Sequence, residues 1–410
     1  MRFPPIFVRV LAAALLALPA SCTPPREAVD TVVIWHQKTG AERAIFEQVI
    51  REYNLLHPEE SVVALYREGE ELRNSFIIAA VAGQGPDLVF GPADNVGLFA
   101  ETRVIRPWDE VVGKAFLERF SGDGIVSWKG KPWLVADQIG NQLMLVYDRQ
   151  AVKSPPHTLA ELVETGRTLT LREGDAVTRH ALAWNSSDPF FFIPFLTGFG
   201  GWIMDDDGNP TLDTPEMRAA LRFVVDMGGK HGITAGYADN DEADLEFKRG
   251  RAAMTINGPW SWAEYGVPAR RMLALLPLNS ATGLRCRPLL AAKGYCLSIN
   301  TPPEKFDIVR RVLEHLTGEE VQQTMASLLF TTPTLKSVVD SAAASGNPVL
   351  RLALQQATLS VPTPVTPKLR YIWDGMRAPY RSVMTGEISP DEGARLMQRE
   401  VEKRVAEGMP

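Results

Sequence analysis

Residues 32–90 read VVIWHQKTGAERAIFEQVIREYNLLHPEESVVALYREGEELRNSFIIAAVAGQGPDLVF, and this stretch decides the fold. Val32–Trp35 is a short apolar strand. After Gly40, Phe46, Val49, Ile50 and Tyr53 recur at helical spacing until Pro58 breaks the run. Val62–Tyr66 gives a second strand, Leu72, Phe76, Ala79 and Ala80 mark a second helix ending near Gly83, and Asp87–Phe90 gives a third strand. The order βαβαβ predicts an α/β fold whose mainly parallel sheet is covered by helices on both faces, with ligand groups at the carboxyl ends of strands.

Outward from this unit, Lys129-Gly130-Lys131 predicts a hairpin, followed by a strand through Leu143–Tyr147. Beyond Tyr147 a second α/β unit begins. Helices are predicted at Thr158–Thr165, from Pro189 through Phe195, Pro215–Met227 and Leu245–Lys248, with strands at Ala181–Trp184, Ala253–Ile256 and Cys296–Asn300. Helices then follow at Pro303–Leu316, Glu319–Leu329, Tyr371–Met384 and Pro390–Glu407. Ser341–Pro348 and Pro362–Pro367 read as loops.

The whole chain has 410 residues, 43 basic against 49 acidic side chains, a formal charge of −6 and 45% hydrophobic residues. That length predicts two or three domains with cores that need no staples. Mild acidity speaks against nucleic acid as a partner. At the start, Arg2 and Arg9 accompany an apolar run of nine residues, Val10–Leu18, far short of the roughly 20 needed to span a membrane. Residues 1–22 therefore read as an export signal. Leu18-Pro19-Ala20-Ser21-Cys22 resembles a bacterial lipobox, with Pro19 as a departure, so lipidation of Cys22 and anchorage at a membrane surface are expected; the alternative is a plain secretory signal. Residues 23–30 then form a tether. In an oxidising compartment Cys286 and Cys296 either close a disulfide loop, the expectation favoured here, or remain two buried thiols.

The residue pattern offers little for catalysis. The six histidines are dispersed, none forms an i, i+4 metal pair, and no nucleophile elbow or phosphate-binding loop of the right spacing occurs. Asp205-Asp206-Asp207-Gly208 lacks the ligands of a calcium loop and reads as a solvated turn. Asp94 and Asp188 are one conceivable carboxylate pair for glycosidic chemistry, but hydrogen bonding to a ligand or helix capping is expected of each. No metal or cofactor is called for.

Aromatic placement is more informative. Trp260 and Trp262 fall within Met254-Thr-Ile-Asn-Gly-Pro-Trp-Ser-Trp262, and Trp373 within a late helix. Each serves either a core or a pyranose site, where aromatic rings stack on the C–H face of the sugar while amides and carboxylates bond its hydroxyls. From about Val32 to Glu407 the chain resembles the maltose/maltodextrin-binding branch of the extracellular solute-binding proteins serving ABC importers. The strongest match is Phe247-Lys-Arg-Gly-Arg-Ala-Ala-Met-Thr-Ile-Asn-Gly-Pro-Trp-Ser-Trp262; a second is Gly85-Pro-Asp-Leu-Val-Phe-Gly-Pro-Ala-Asp94, and a third is Asp188-Pro189-Phe190. The resemblance implies that Trp260, Trp373 and Phe190 stack on sugar rings and that Asp94 and Asp188 bond hydroxyls. Gly91, Asn95 and Asn141 stand where maltodextrin binders usually carry a tryptophan, an arginine and a glutamate. Gln37 and Lys38, with His36 and Trp262, are further candidates for contact.

The implied fold is two-lobed and periplasmic-binding-protein-like, with the ligand cleft between lobes. The first lobe is expected from residues 31–140 plus 297–342 and the second from 141–296 plus 343–410. The implied function is a monomeric, lipid-anchored, non-enzymatic receptor that closes by a hinge around a malto-oligosaccharide or related α-glucoside and delivers it to permease subunits. Alternatives are a receptor for a polyol or different oligosaccharide, and a carbohydrate-active hydrolase.

Overall fold

A computed structural model describes residues 30–407. The export signal, Cys22 and tether residues 23–29 lie outside the described residues, and Asp30 already opens the first strand.

The chain begins as the sequence predicts, with β1 Asp30–His36, α1 Gly40–Leu56, β2 Glu60–Tyr66, α2 Gly69–Val81 and β3 Leu88–Pro92. In α1 the predicted stripe of Phe46, Val49, Ile50 and Tyr53 is buried. Then come α3 Asp94–Glu101, β4 Ile105–Arg106, a short α4 Lys114–Leu117, and the hairpin of β5 Ile125–Trp128 and β6 Lys131–Gly140. Lys129 and Gly130 both take positive φ at its turn, which matches the twist of paired strands. The second unit contains β7 Met144–Asp148, α5 Leu159–Leu169, β8 Leu171–Glu173, β9 Ala176–Trp184, α6 Pro189–Gly198, α7 Pro215–Gly229, α8 Asn240–Lys248, β10 Ala252–Asn257, α9 Pro259–Trp262 and β11 Arg271–Ala274. A small ribbon of β12 Leu278–Asn279 and β13 Leu284–Arg285 precedes β14 Leu289–Ser298. The remainder is α10 Phe306–Leu316, α11 Glu319–Leu329, α12 Lys336–Ala344, α13 Pro348–Leu359, β15 Val361–Pro362, α14 Pro367–Met384 and α15 Pro390–Glu407.

Two main sheets define two lobes. The first runs β2-β1-β3-β14-β6-β5, with β4 and β15 paired to β14; the second runs β11-β7-β10-β9-β8. Helices cover both faces of each. On the first sheet, Phe46, Tyr53 and Leu313 pack on one side and Phe76, Val89 and Phe99 on the other. On the second, Phe192, Leu221, Ile372 and Met397 form the larger core, and Met144, Phe247, Trp262 and Tyr265 fill the opposite face.

Three expectations about the sheets, the lobes and the helices need correction. The sheets are mixed rather than mainly parallel: β1 is parallel to β2 and β3, and β10 to β9, whereas β14, β6, β5, β7 and β11 join antiparallel. The late strand begins at Leu289 and lies inside the first sheet, so that lobe takes in residues 289–296 that were expected in the second. Gly294 permits this, because a β-carbon there would strike the backbone of Val135 and Ala136 on β6. Ser341–Pro348 is not one loop: α12 runs through Ala344, and α13 starts at Pro348 under an Asn347 cap. Val338 of α12 belongs to the first core and Val349 of α13 to the second, so the chain crosses between lobes there.

The expected disulfide is absent. Cys286 and Cys296 are both free and buried. Cys286 packs in the second lobe's core and Cys296 in the first lobe's, on opposite sides of the crossing into β14.

Candidate functional site

The turn after β10 is held by one amide. Asn257 Oδ1 accepts from Gly258 N (2.8 Å), its Nδ2 donates to the Tyr265 hydroxyl (2.7 Å), and its backbone carbonyl accepts from Trp262 Nε1 (3.2 Å). Gly258 and Pro259 then start α9, where two residues of separation swing side chains to nearly opposite sides. Trp260 is half-buried and lines the space between the lobes. Trp262 has no exposed surface and belongs to the core, which removes it from the expected ligand contacts.

Between the lobes lies a cleft of about 610 Å³. It brings together five of the expected residues: Gln37 and Asn141 from the first lobe's side, and Asp188, Phe190 and Trp260 from the second. Asn141 follows β6 at the crossing between lobes, in a left-handed conformation with φ 65°. Asp188 caps α6 by accepting from Phe190 N at 3.0 Å, with Pro189 at the first helical position, so one turn fixes both acceptor and ring. Burial raises the Asp188 pKa above the usual carboxylate range, while the positive charge of Arg377 works against that rise. The cleft also receives Tyr66, Lys293 and Arg377, which the sequence reading did not single out. Arg377 lies one helical turn beyond Trp373, and that spacing was the available signal.

Lys38 is a correction. Its ammonium lies 3.0 Å from Asp137 Oδ2 and 3.1 Å from Glu42 Oε1, with the Phe90 ring centroid 3.6 Å away, and its side chain is wholly shielded. Burial opposes the charge, but the two carboxylates outweigh it and raise the Lys38 pKa. The ammonium is thus committed to an internal ion cluster rather than offered to a ligand. Burial also opposes ionisation of Glu42, yet Lys293 and Lys38 bring its pKa down to about 2. His36 is buried too, and burial followed by the Lys38 charge lowers its pKa to about 4, leaving a neutral ring whose Nδ1 accepts from Lys38 N.

Trp373 also lies elsewhere than expected. It is 7% exposed and packs with Leu369, Ile372, Met376 and Tyr380 on the buried face of α14. Asp94 heads α3, where Gly91 and Asn95 stand close together. Its Oδ1 has no partner, and burial raises its pKa to about 6. The two carboxylates once conceivable as a catalytic pair head helices in opposite lobes.

A second cavity of about 500 Å³ adjoins the first, between α2 and α14, and Arg377 lines both. Glu70 stands at the partition. It pairs with Arg73 at 2.7 Å, with Arg370 at 2.8 Å and with Arg377 at 3.1 Å. The last two links cross from the first lobe to α14. Among the described residues no group of three or more His, Cys, Asp or Glu is placed to hold a metal, and no helix is long and apolar enough to cross a membrane. What the cleft offers is an aromatic face and a ring of acceptors and donors, the chemistry that a polyhydroxylated ring requires.

A family model described as bacterial extracellular solute-binding protein matches residues 49–351. A maltotriose-binding protein of Pyrococcus abyssi is 27% identical over 84% of this chain and 76% of its own length. Maltodextrin-binding protein MdxE of Bacillus subtilis is 23% identical over 76% of each. The solved structure of the maltose/maltodextrin-binding domain MalE from Bdellovibrio bacteriovorus, bound to maltotriose, aligns with a TM-score of 0.88 at 33% identity, covering 92% of this chain and all of that one.

Proposed function

From the premise that the chain belongs to the bacterial extracellular solute-binding proteins, in their maltose/maltodextrin-binding branch, we propose that it captures a malto-oligosaccharide outside the cytoplasm and delivers it to an ABC importer. The observation that carries this reading is the cleft itself: Trp260 and Phe190 supply stacking surfaces beside Asp188, Asn141 and Gln37, which bond hydroxyls.

Ligand contacts from both lobes are complete only with the cleft shut, so binding drives a hinge motion about the crossings near Asn141 and Leu289. The importer then reads the closed form. Cys22 carries a lipid that holds the receptor at the membrane surface, residues 23–29 are the tether, and the protein acts as a monomer without altering its ligand.

Titration of the purified protein with a panel of sugars, followed by tryptophan fluorescence, tests this reading. Maltotriose is expected to saturate the wild type and to bind Trp260→Ala at least about 30-fold more weakly. Shortened products accumulating from maltotriose with steady turnover would establish a hydrolase instead. Saturation by a polyol but not by any glucan would move the assignment to another solute.

A further inference from the structure

We propose that Glu70, ion-paired across the lobes with Arg370 and Arg377, is the stop that fixes how long an oligosaccharide the cleft accepts; the inference rests on the malto-oligosaccharide reading above.

The first turn of α2 sets the residue in place. Glu68 caps the helix, accepting from Glu70 N at 3.0 Å and from Glu71 N at 3.3 Å. Gly69 borders the main cleft, and Glu70, the next residue, borders the second cavity. Arg377 belongs to both walls. A glucan stacked on Trp260 and extended toward Arg377 therefore meets the Glu70 bridge, beyond which lies a compartment nearly as large as the first. That compartment has the mixed character of a sugar subsite, with Leu98 and Ile77 beside Asn74, Arg73 and Asp374.

A neutral chain does not pass this partition easily. Sugar hydroxyls form ordinary hydrogen bonds, whereas the bridge consists of charge-assisted ones. Arg370 is held twice, by both Glu70 oxygens at 3.1 and 2.8 Å and by Asp374 Oδ2 at 2.8 Å. Arg73 binds the same Glu70 carboxylate from within the first lobe. Burial opposes the Glu70 charge, yet Arg73 and Arg370 bring its pKa down to about 2, so the bridge persists throughout the neutral and mildly acidic range. Removing the carboxylate would join the two compartments and free guanidinium donors for sugar hydroxyls.

The test is calorimetric titration with linear malto-oligosaccharides from maltose to maltoheptaose, for wild type, Glu70→Ala and Arg370→Met. Glu70 is surface-accessible, and the second variant breaks the bridge from the other lobe if the first fails to fold. For the wild type, affinity is expected to rise with length and then level off. In either variant the ratio of maltoheptaose to maltose affinity should increase about tenfold. An equal change at every length would make the bridge a simple latch on closure and overturn the proposal. So would a wild type whose affinity keeps rising through maltoheptaose. If the wild type binds no member of the series, the receptor reading itself fails and this inference with it; an unchanged length ratio in a protein that binds refutes only the stop.

Discussion

The six-membered part of the Trp260 indole packs directly over Gly258, so that a β-carbon added at Gly258 would overlap the ring. The backbone there has φ −102°, which alanine adopts without strain. Gly258→Ala is thus expected to displace the indole while leaving the β10 strand intact. Maltotriose affinity should fall by about tenfold or more, with only a small change in melting temperature, because the half-exposed ring can swing away from the added methyl. Fluorescence titration beside a thermal melt checks both halves; unchanged affinity would mean that the ring's position is set by something other than this contact.

Asp94 gives a pH dependence whose sign is fixed. In the free protein burial raises its pKa to about 6, and its Oδ1 has no partner. The resemblance implies a sugar hydroxyl donating to this carboxylate, and such a bond favours the ionised form. Affinity is therefore expected to rise from pH 5 to pH 7, and binding near pH 6 to release protons, seen as a buffer-dependent calorimetric enthalpy. Stability runs the other way: a carboxyl whose folded pKa lies above its ordinary 3.8 favours folding at low pH, and that contribution is lost as pH rises from about 4 to about 6. Asp94→Asn should remove both slopes. A wild-type affinity flat across this range would exclude Asp94 from the sugar contacts.

Lys38 and Gln37 adjoin in sequence but separate in consequence. Lys38→Ala strips a cation from between Asp137 and Glu42 inside the first lobe, leaving buried carboxylates short of partners. A loss of about 3–5 kcal/mol in unfolding free energy is expected. Gln37 borders the cleft, so Gln37→Ala should weaken sugar binding with little effect on unfolding. Urea denaturation of both variants, paired with titrations, reads the contrast directly; a Lys38→Ala protein as stable as the wild type would show that the ion cluster contributes no net stability.

The same pair shows how far the sequence could be read. The first βαβαβ unit was legible because Phe46, Val49, Ile50 and Tyr53 mark a helix face without reference to anything distant. Trp260 was singled out through the resemblance of Phe247–Trp262 to a family signature, and nothing local separates it from Trp262, two residues on and facing the core. Lys38 read as a candidate for ligand contact because its partner Asp137 lies 99 positions away. Glu70 joins Arg370 and Arg377 across 300 and 307 positions, and each taken alone is an ordinary charged residue on a helix. Helices α12 and α13 escaped notice because Ser341–Pro348 is small and polar where the helices meet, and their apolar contacts go to different lobes.

The two remaining cysteines supply a test that separates the fold from the sequence expectation. Cys286 packs against Gly198 of α6, and Cys296 sits opposite Val89 in the first sheet. A bond between them would require one thiol to leave its core, at a cost that closing a short loop cannot offset. Burial pushes the Cys286 thiol up to about 12 and also raises that of Cys296, so neither supplies thiolate at neutral pH. The purified, non-reduced protein should therefore melt at the same temperature with or without reductant. Alkylating reagents should label both thiols only once the chain is unfolded. A lower melting temperature in reductant, or a peptide pair linked through Cys286 and Cys296 in a non-reducing digest, would contradict the separation of the two thiols between lobes.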